Sequence, residues 1–521
     1  MTQDTDQWNP DRTETAIESI AEDEENVLSE LTEHSVLVRA TQEDNPNCQH
    51  ALLTTVNLLA RLDTVIDTVH VVVAPETALD VYHPGVVGDC VIDGLQSIRD
   101  RVGSPVEVAV VDELADAYDT VVGLGPSKAH SDGFKVCAGS TGWLAHVSTE
   151  NAEVSFGEKV NPVGAYATGC MAVAEVFKHV LLSEAGDVVT IPIKQVDDMV
   201  FSTLDYSVNA DDPDNPPLPD PVNVESLHVF GVGAGGGALI HVLSAVDEIE
   251  GEIHLVDSDE ISRSNLNRYI WAFADDVDAM KTERGQRRLR AAHPRLEVSS
   301  HPVPYSKFAG AAGSGPFDLV VSTVDSAEAR EEIQWDLPRT VLDAATNQHG
   351  YYVVSRIELD ETQCLACKHS QRDGKRREMG VVSNRIGLSV KRLLEMDKDN
   401  AAFSEEQVAV IESHVDADRG FTVPEPGERF SDWFGNQCGH MDLSAADDPV
   451  PVPFLPVTAG VLLAGEVIKD RYFPEYRVSN KFTHNMFYRP RQRLHSFTGP
   501  DSECDICNSD KIIGRYKTKW T

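Results

Sequence analysis

Short apolar runs alternate with longer amphipathic or small-residue stretches along most of the chain, in the order strand, helix, strand. The runs that predict strands come in two sets of three: Ser35–Arg39, Val69–Val73 and Tyr118–Gly123, then Leu227–Phe230, Glu252–Val256 and Phe317–Ser322. Short apolar runs bounded by turn residues are typical of strands buried on both faces. The pattern therefore predicts an α/β protein with doubly wound, Rossmann-like sheets.

The two sets resemble two copies of one plan. Each ends in a long small-residue helix, predicted at 161–178 in the first copy and at 455–469 in the second, and both helices close on Glu-Val-x-Lys. Any α/β protein repeats strand–helix–strand units, so chance recurrence is the alternative. The shared order and the shared helix ending favour a duplication, and thus two domains in tandem that form an internal pseudo-dimer.

A segment rich in proline and aspartate separates the two copies. Residues 209–222 carry five prolines and no apolar periodicity, which argues against a helix or a central strand. We predict a first domain over 1–194, a linker over 195–225 and a second domain over 226–521. The second domain contains an inserted segment, 368–450, with two predicted helices.

The composition predicts a strongly acidic surface. The 521 residues include 85 Asp and Glu against 44 Lys and Arg, a formal net charge of −41, and the acidic residues are spread along the whole chain. Such a surface suits a halophilic, salt-rich cytoplasm, where self-repulsion is screened, or alternatively one basic partner; it does not suit nucleic acid. No apolar run approaches the roughly 20 residues of a membrane helix, and the acidic N-terminus lacks signal-peptide features. We therefore expect a cytoplasmic protein that binds no membrane.

The second copy carries a glycine loop that the first copy lacks. Its first strand is followed by Gly231-Val-Gly233-Ala-Gly235-Gly236-Gly237, whereas the first copy continues with Ala40-Thr-Gln-Glu-Asp-Asn-Pro. Glycines let the backbone and a helix N-terminus approach phosphate oxygens. We therefore expect a nucleotide at the second copy, and we interpret the first copy as a scaffold that no longer binds one.

Polar residues follow the glycine loop at spacings that suit ATP. Asp257 ends the next strand, about 20 residues further on, where a carboxylate can bind both ribose hydroxyls; capping a helix is its alternative role. Arg268 and Lys281 can bind phosphate oxygens, or can be exposed cations on an acidic surface. Asp325 follows a buried strand at the carboxyl edge of the sheet, where a carboxylate can hold the Mg²⁺ that bridges ATP phosphates.

Four of the nine cysteines form two Cys-x-x-Cys pairs, Cys364 with Cys367 and Cys504 with Cys507. Four thiolates can hold a structural zinc ion in tetrahedral geometry and tie the end of the chain to the domain. Two unlinked pairs or a redox site are the alternatives. Cys438 is a separate candidate, either as a nucleophile or as a packed and inert thiol.

This set of motifs resembles the ThiF/MoeB/HesA adenylyltransferases and the related ubiquitin-activating enzymes. The resemblance covers 226–345, the two cysteine pairs and 455–507. Its signature is filled by the glycine loop, Asp257-x-Asp259, Ser264-Asn265-Leu-Asn-Arg268, Lys281 thirteen residues later, and Asp325 with Arg330. Ala234, Tyr269 and Ser326 depart from the family pattern, which usually has Gly, Gln and Asn at these places.

The resemblance implies an enzyme, a transferase that adenylates the C-terminal glycine of a ubiquitin-like or sulfur-carrier protein with ATP, Mg²⁺ and a structural Zn²⁺. It implies that Arg268, Lys281 and Asp325 are catalytic. It also implies that the nucleotide site consists of the glycine loop with Asp257, Asp259, Asn265, Arg268, Lys281, Asp325 and Arg330.

Two further residues enter through the same resemblance. Cys438 lies where family members that form a thioester or persulfide carry their cysteine, so it is the candidate acceptor of the activated carrier. In homodimeric relatives an N-terminal Arg of the partner subunit reaches the ATP. Arg12, ahead of the first copy, is the corresponding candidate, and an exposed Arg in an acidic helix is the alternative. Further oligomerisation stays open.

Two functions of other classes compete with adenylation. An NAD-dependent oxidoreductase can use the same glycine loop, although Arg268, Lys281 and the cysteine pairs would then have no purpose. A non-catalytic scaffold, in which the second copy is degenerate as well, is the other alternative.

Overall fold

The structure is a computed structural model that describes residues 11–18, 27–28, 31, 34–111, 117–126, 133–150, 152–186, 189, 193–311, 315–346, 350–368, 386–414, 423–430, 433, 452–488, 495–502 and 504–520. Its contacts divide the chain into two compact units. The first consists of Met1–Gln363 with Val450–Thr521, and the second of Cys364–Pro449.

Two sheets form the first unit. The strands of the first sheet are β1 (Ser35–Ala40), β2 (Thr68–Val72), β3 (Glu107–Val110), β4 (Thr120–Leu124), β5 (Phe134–Thr141), β6 (Leu144–Ser148) and β7 (Asp198–Ser202). Those of the second are β8 (Val222–Phe230), β9 (Ile249–Val256), β10 (Glu297–His301), β11 (Leu319–Ser322), β12 (Thr340–Thr346), β13 (Tyr351–Ile357), β14 (Lys481–Asn485) and β15 (His495–Ser496).

The two sheets share one topology. The first has the order β3-β2-β1-β4-β5-β6-β7, and the second has the order β10-β9-β8-β11-β12-β13-β14-β15. In each sheet the first five strands of that order are parallel and the remaining strands are antiparallel. This common order confirms the predicted tandem α/β architecture.

The helices of the described residues follow in chain order. They are α1 (Asp11–Glu18), α2 (Pro46–Leu59), α3 (Val91–Val102), α4 (Pro162–Glu184), α5 (Ala234–Ser244), α6 (Lys281–Ala292), α7 (Tyr305–Ala309), α8 (Ala327–Trp335), α9 (Leu365–Lys368), α10 (Val390–Asp399), α11 (Glu405–His414), α12 (Phe454–Tyr472) and α13 (Asp510–Trp520).

The two predicted small-residue helices are α4 and α12, and they lie at the centre of the first unit. Helix α4 packs against α2 in the first copy, α12 packs against α5 in the second, and the two helices also pack against each other. Small side chains allow this close packing: a Cβ at Gly460 would lie 2.4 Å from the carbonyl oxygen of Gly235. The second helix is thereby held against the glycine loop.

Helix α4 is long and apolar enough to span a membrane by length and composition, so the expectation that no segment approaches the length of a membrane helix is wrong. It is the only such helix among the described residues, and 89% of its most apolar 18-residue stretch is buried inside the protein. It also carries a buried ion pair between Glu175 and Lys178. These features are those of a core helix.

The segment between the sheets is shorter than the predicted linker. Residues 209–221 form no helix or strand, but β7 lies within 195–225 and completes the first sheet, while β8 already begins at Val222. Strand β7 was missed because its apolar run, Met199–Phe201, is only three residues long, with Asp198 before it and Ser202 after it. Asn215 ties the linker to the first sheet, since its side chain accepts from the Trp143 amide at 2.9 Å and donates to the Thr141 carbonyl. The domain limits themselves stay a prediction.

The second unit contains the two predicted helices of the insertion, α10 and α11. Its described residues have a small core of their own. The buried members of that core are Ile386, Leu388, Leu393, Met396, Phe403, Val408, Ile411, Phe430 and Trp433.

Candidate nucleotide site

The glycine loop joins β8 to α5 in a turn that requires glycine at two positions, Gly231 and Gly236. Gly231 has φ +88°, and a Cβ there would lie 2.8 Å from the carbonyl carbon of Thr323. A Cβ at Gly236 would lie 2.1 Å from the carbonyl oxygen of Gly231. Thr323 also donates its hydroxyl to that carbonyl at 2.7 Å. The loop is therefore packed closely against the segment that follows β11.

The N-terminus of α5 has no side-chain cap. Gly233 is the N-cap residue and supplies no side-chain hydrogen bond to the first turn. A Cβ at Gly235 would have its nearest neighbour 3.7 Å away, so the space beside this turn is roomier than at Gly236. The first N–H groups of a helix have no intrahelical partner and favour an anion. This end of α5 can therefore accept phosphate oxygens.

Asp257 follows directly after β9 and lies beside the glycine loop. One carboxylate oxygen accepts from the amide of Val232 at 2.7 Å, and the other accepts from the amide of Asp259 at 2.9 Å. Burial raises the pKa of Asp257, against the lowering effects of Lys281 and of the two backbone donors. Each oxygen keeps a second lone pair for a ribose hydroxyl. Asp257 thus both holds the loop and is suited to bind the sugar.

Lys281 begins α6 and points its ammonium group at Asp259, with Nζ 2.8 Å from Oδ2. The side chain of Lys281 is buried, whereas Asp259 is exposed. Burial lowers the pKa of Lys281, but Tyr269 and the two nearby carboxylates together raise it above its usual value. Lys281 therefore carries a positive charge at neutral pH.

Arg268 lies on the loop between β9 and α6. Its Nη1 donates to the carbonyl of Ser264 at 2.9 Å, and its guanidinium lies 5.3 Å from the centre of the Tyr269 ring. Lys281 Nζ lies 5.8 Å from the same ring. Asn265 is buried and accepts from the amide of Ser262 at 3.0 Å, which closes the turn ahead of Arg268. Both predicted phosphate ligands thus lie near the ring of Tyr269.

Asp325 follows β11 and is exposed at the carboxyl edge of the sheet. Arg330 donates to its backbone carbonyl at 3.1 Å rather than to its carboxylate. The buried Arg330 guanidinium also lies 3.5 Å from the carboxylate of Asp343 on β12. In this arrangement Arg330 supports the edge of the sheet and leaves the carboxylate of Asp325 for a cation.

The four predicted metal ligands form two compact pairs. The Sγ atoms of Cys364 and Cys367 are 3.5 Å apart. In the other pair, the Sγ atom of Cys504 accepts from the amide of Cys507 at 3.5 Å. A tetrahedral site with Zn–S bonds of about 2.3 Å places its sulfurs about 3.8 Å apart, so the spacing of the first pair suits two ligands of a zinc ion, and the joint site of all four thiols stays a prediction.

The corresponding turn of the first copy lacks these features. Asn45 caps α2, and its side-chain oxygen accepts from the amides of Asn47 at 2.9 Å and Cys48 at 3.4 Å. Glu43, Asp44 and Glu158 line a cavity of about 470 Å³ beside this turn. The helix end is capped and its surroundings are acidic.

Comparison with known proteins gives the second copy a family. The sequence profile of the ThiF family matches residues 222–504, more than half of the chain, and that of the BilD N-terminal domain matches residues 34–189. The chain belongs to the ThiF family. This confirms the resemblance drawn from the motifs.

The chain is also similar to individual proteins and to solved structures. The protein y4jF of Sinorhizobium fredii is 26% identical over 73% of this chain and 74% of its own length. The sulfur carrier protein adenylyltransferase of Thermus thermophilus is 31% identical, over 20% of this chain and 38% of its own length. The crystal structure of E. coli MccB with MccA-N7isoASN is 17% identical, over 55% of this chain and 67% of that one, with a TM-score of 0.35.

The structure brings most of the ThiF signature together around the glycine loop, while the roles of the individual residues stay predictions. Two predicted residues cannot be placed. The side chain of Arg12, in α1, and the whole of Cys438 lie outside the described residues.

Two aromatic residues beside the ThiF glycine loop were missed as parts of the site. Trp271 Nε1 donates to the carbonyl of Gly233 at 3.1 Å, and its ring fills the place of a Cβ at Gly237. Tyr269 stacks on Trp271, with ring centres 5.7 Å apart, and its hydroxyl lies 3.4 Å from the place of a Cβ at Gly233. The available signal was the aromatic run directly after Arg268, in which Tyr269 counted only as a departure from the family.

Proposed function

We propose that this ThiF-family protein is an ATP-dependent adenylyltransferase that activates the C-terminal glycine of a ubiquitin-like or sulfur-carrier protein. The observation that carries the proposal is the uncapped N-terminus of α5 with Asp257, Arg268 and Lys281 around it. The name of the Thermus relative, a sulfur carrier protein adenylyltransferase, supports this choice of substrate.

The reaction joins two substrates at the α-phosphate of ATP. A carboxylate oxygen of the carrier's terminal glycine attacks the α-phosphorus, the bond from that phosphorus to the bridging oxygen breaks, and pyrophosphate leaves with the electron pair. An acyl-adenylate remains. No protein group needs to form a covalent bond in this step, so catalysis rests on positioning and on charge stabilisation.

Each residue has one task in this proposal. Asp257 binds the ribose hydroxyls and the amides of α5 bind phosphate oxygens. Arg268 and Lys281 neutralise the phosphates, the first as a bidentate donor and the second as a point charge. The acidic Asp259 holds Lys281 in place until the phosphates arrive.

Asp325 would hold Mg²⁺, whose charge would offset that of the phosphates. A hard oxygen ligand at the carboxyl edge of the sheet fits this ion, and Arg330 bonds to the carbonyl of Asp325 and not to its carboxylate. One carboxylate with substrate phosphates and water is a common donor set for Mg²⁺.

The cysteine cluster would hold a structural zinc ion. All four ligands are protein thiols, which leaves no open position for a reactant. We expect about one zinc per chain by elemental analysis, and less than half of that in Cys504→Ser, with a lower unfolding temperature. Full zinc content in Cys504→Ser would contradict this assignment.

Exchange of labelled pyrophosphate into ATP tests the proposed activity. We expect exchange that depends on a carrier protein ending in Gly-Gly and that stops when the terminal glycine is removed. Asp325→Ala should lower the exchange rate at least about 100-fold, as expected when a metal-bound charge is lost from a phosphate-transfer site. Glu328→Ala, an exposed acid on α8, is the matched control and should stay near wild type.

Two outcomes would contradict the proposal. Exchange that is absent with every carrier, together with equal ATP affinity in wild type and Asp325→Ala, would leave a scaffold as the better description. Binding of NAD in preference to ATP would favour the oxidoreductase.

A further inference from the structure

A buried arginine of the first copy, Arg61, binds backbone carbonyls of the second copy. Arg61 follows the end of α2 and is fully buried. Its guanidinium donates to the carbonyl of Leu266 and, at 2.9 Å, to the carbonyl of Ala272. Its Nε donates to the side chain of Asn57 at 2.8 Å, and Asn57 in turn donates to the carbonyl of Ile270 at 3.1 Å. Two residues of α2 and its end thus bind three carbonyls of one loop.

That loop, residues 266–272, is part of the candidate nucleotide site. It carries Arg268 between two of the bound carbonyls, and Tyr269 and Trp271 beside the third. Trp271 bonds to the Gly233 carbonyl of the glycine loop, and Tyr269 lies next to Lys281. A shift of this backbone would therefore move Arg268, a predicted phosphate ligand, together with the two aromatic side chains that lie beside the glycine loop.

Burying the charge of Arg61 between the two copies carries a desolvation penalty. Burial first, and then the nearby Arg288, lower the pKa of Arg61 to about 9, while Asp276 opposes them. Arg61 is still protonated at neutral pH. Replacing buried charges by apolar packing is often neutral or stabilising, so a buried guanidinium is weak evidence for a role in stability alone. Its planar fork can instead fix two carbonyls at a set spacing.

We infer that Arg61 is a positioning residue for the nucleotide site, through which the first copy fixes the loop that carries Arg268. The part of this inference that concerns ATP rests on the proposed function; the part that concerns the loop does not. The first copy binds no nucleotide in this view but shapes the site in its neighbour.

Arg61→Lys is the main test. A lysine keeps the charge but cannot span the Leu266 and Ala272 carbonyls as a fork. We expect amide exchange in peptides covering 264–272 to become about 10-fold faster, the effect of losing one charge-assisted hydrogen bond. We expect the dissociation constant for ATP, measured by calorimetry without any carrier, to rise by about the same factor.

Arg101→Lys is the matched control. Arg101 lies on the same interface, with its guanidinium 4.6 Å from the centre of the Phe273 ring, against 5.8 Å for Arg61. Its hydrogen bonds go to Asp275 and to the carbonyl of Gly85, not to the loop. We expect less than about 2-fold change in both measurements. Asn57→Ala, which loses only the bond to Ile270 and the support of Arg61, should lie between the two, at about 3-fold, and serves if Arg61→Lys does not fold.

The outcomes separate the two claims. Unchanged exchange over 264–272 in Arg61→Lys, or an equal increase in Arg101→Lys, would overturn the inference. Faster exchange in Arg61→Lys alone, in a protein whose wild type binds no ATP, would uphold the positioning of the loop and would reject the proposed function instead. Faster exchange with unchanged ATP affinity would overturn the role of Arg61 in the nucleotide site.

Discussion

The turns after β1 and after β8 lie at corresponding places in two sheets of one topology, but they present different chemistry. After β8, glycines bring the chain back on itself and Gly233 leaves the end of α5 uncapped. After β1, the side chain of Asn45 occupies the first amides of α2, and three acids line the space beside it. The comparison shows that two sheets of one strand order can carry an open helix N-terminus in one case and an ordinary capped helix in the other.

The two copies also share what the site does not need. Helices α4 and α12 each carry a buried Glu–Lys pair at the end of the Glu-Val-x-Lys motif. Glu175 accepts from the amide of Val196, just ahead of β7, and Glu466 accepts from the amide of Val478, just ahead of β14; each distance is 3.1 Å. Packing and buried polar contacts are thus common to the two copies, while the nucleotide chemistry is not.

The largest effect should come from breaking one of these pairs. Lys469→Met leaves Glu466 buried without its counter-ion, since both side chains are fully buried and Nζ lies 2.5 Å from Oε1. Removing one partner of a buried pair costs about 3–5 kcal/mol. We expect a cost of this size in the free energy of unfolding by urea, and a similar cost for Lys178→Met in the first copy.

The double variant Glu466→Gln/Lys469→Met is the control for Lys469→Met. It removes both charges and keeps an acceptor for Val478, so it should recover most of the lost stability. A small cost in one copy and a large cost in the other would break the comparison, because the two pairs would then not be equivalent.

The next effect distinguishes two neighbouring glycines of the second copy. A Cβ at Gly236 would meet a backbone oxygen at 2.1 Å, whereas at Gly235 the nearest atom is 3.7 Å away. We expect Gly236→Ala to weaken ATP binding at least about 100-fold, because the loop must move to relieve the overlap. Gly235→Ala should stay within about 3-fold. Calorimetric titration with ATP measures both, and equal affinities would show that the shape of the loop does not matter.

Much of this comparison could be predicted from residues alone. The central parallel strands are continuous apolar runs because they are buried on both faces, and the glycine loop is visible because few other residues fit positions such as Gly231 and Gly236. Asp257, Lys281 and Asp325 lie at strand or helix ends that the spacing places at one edge of the sheet. The topology of such sheets turns sequence spacing into proximity.

The remainder depends on contacts between distant parts of the chain. Strand β7 has an apolar run of only three residues, Met199–Phe201, which also fits a loop. Arg61 is a single cation at the end of an apolar helix, and its partners are backbone carbonyls more than two hundred residues away. Backbone carbonyls have no sequence signature, so no motif could have indicated this contact.

Lys281 gives a third and smaller test of the difference between the copies. The ammonium group of Lys281 lies beside Asp259 and near the ring of Tyr269. Lys281→Met removes this positive charge but keeps a side chain of similar length. We expect ATP to bind about 10-fold more weakly, the effect of one hydrogen bond from a charged group. Lys307→Met, on the short helix α7, is the matched control and should not change the affinity. Equal affinities for wild type and Lys281→Met would remove Lys281 from the phosphate site.

The smallest effect tests why we expect the first copy to bind no nucleotide. Asn45→Ala removes the cap of α2 and should lower the free energy of unfolding by about 1 kcal/mol. Asn45→Gly should lower the free energy of unfolding by only a few tenths of a kcal/mol. It leaves the helix end without a side-chain cap, as Gly233 does in the second copy. We still expect one ATP per chain by calorimetry, because Glu43, Asp44 and Glu158 repel phosphate whether or not the amides are available. A second equivalent of bound ATP in Asn45→Gly would mean that the asparagine cap alone had closed the site, and that the acids beside it play no part.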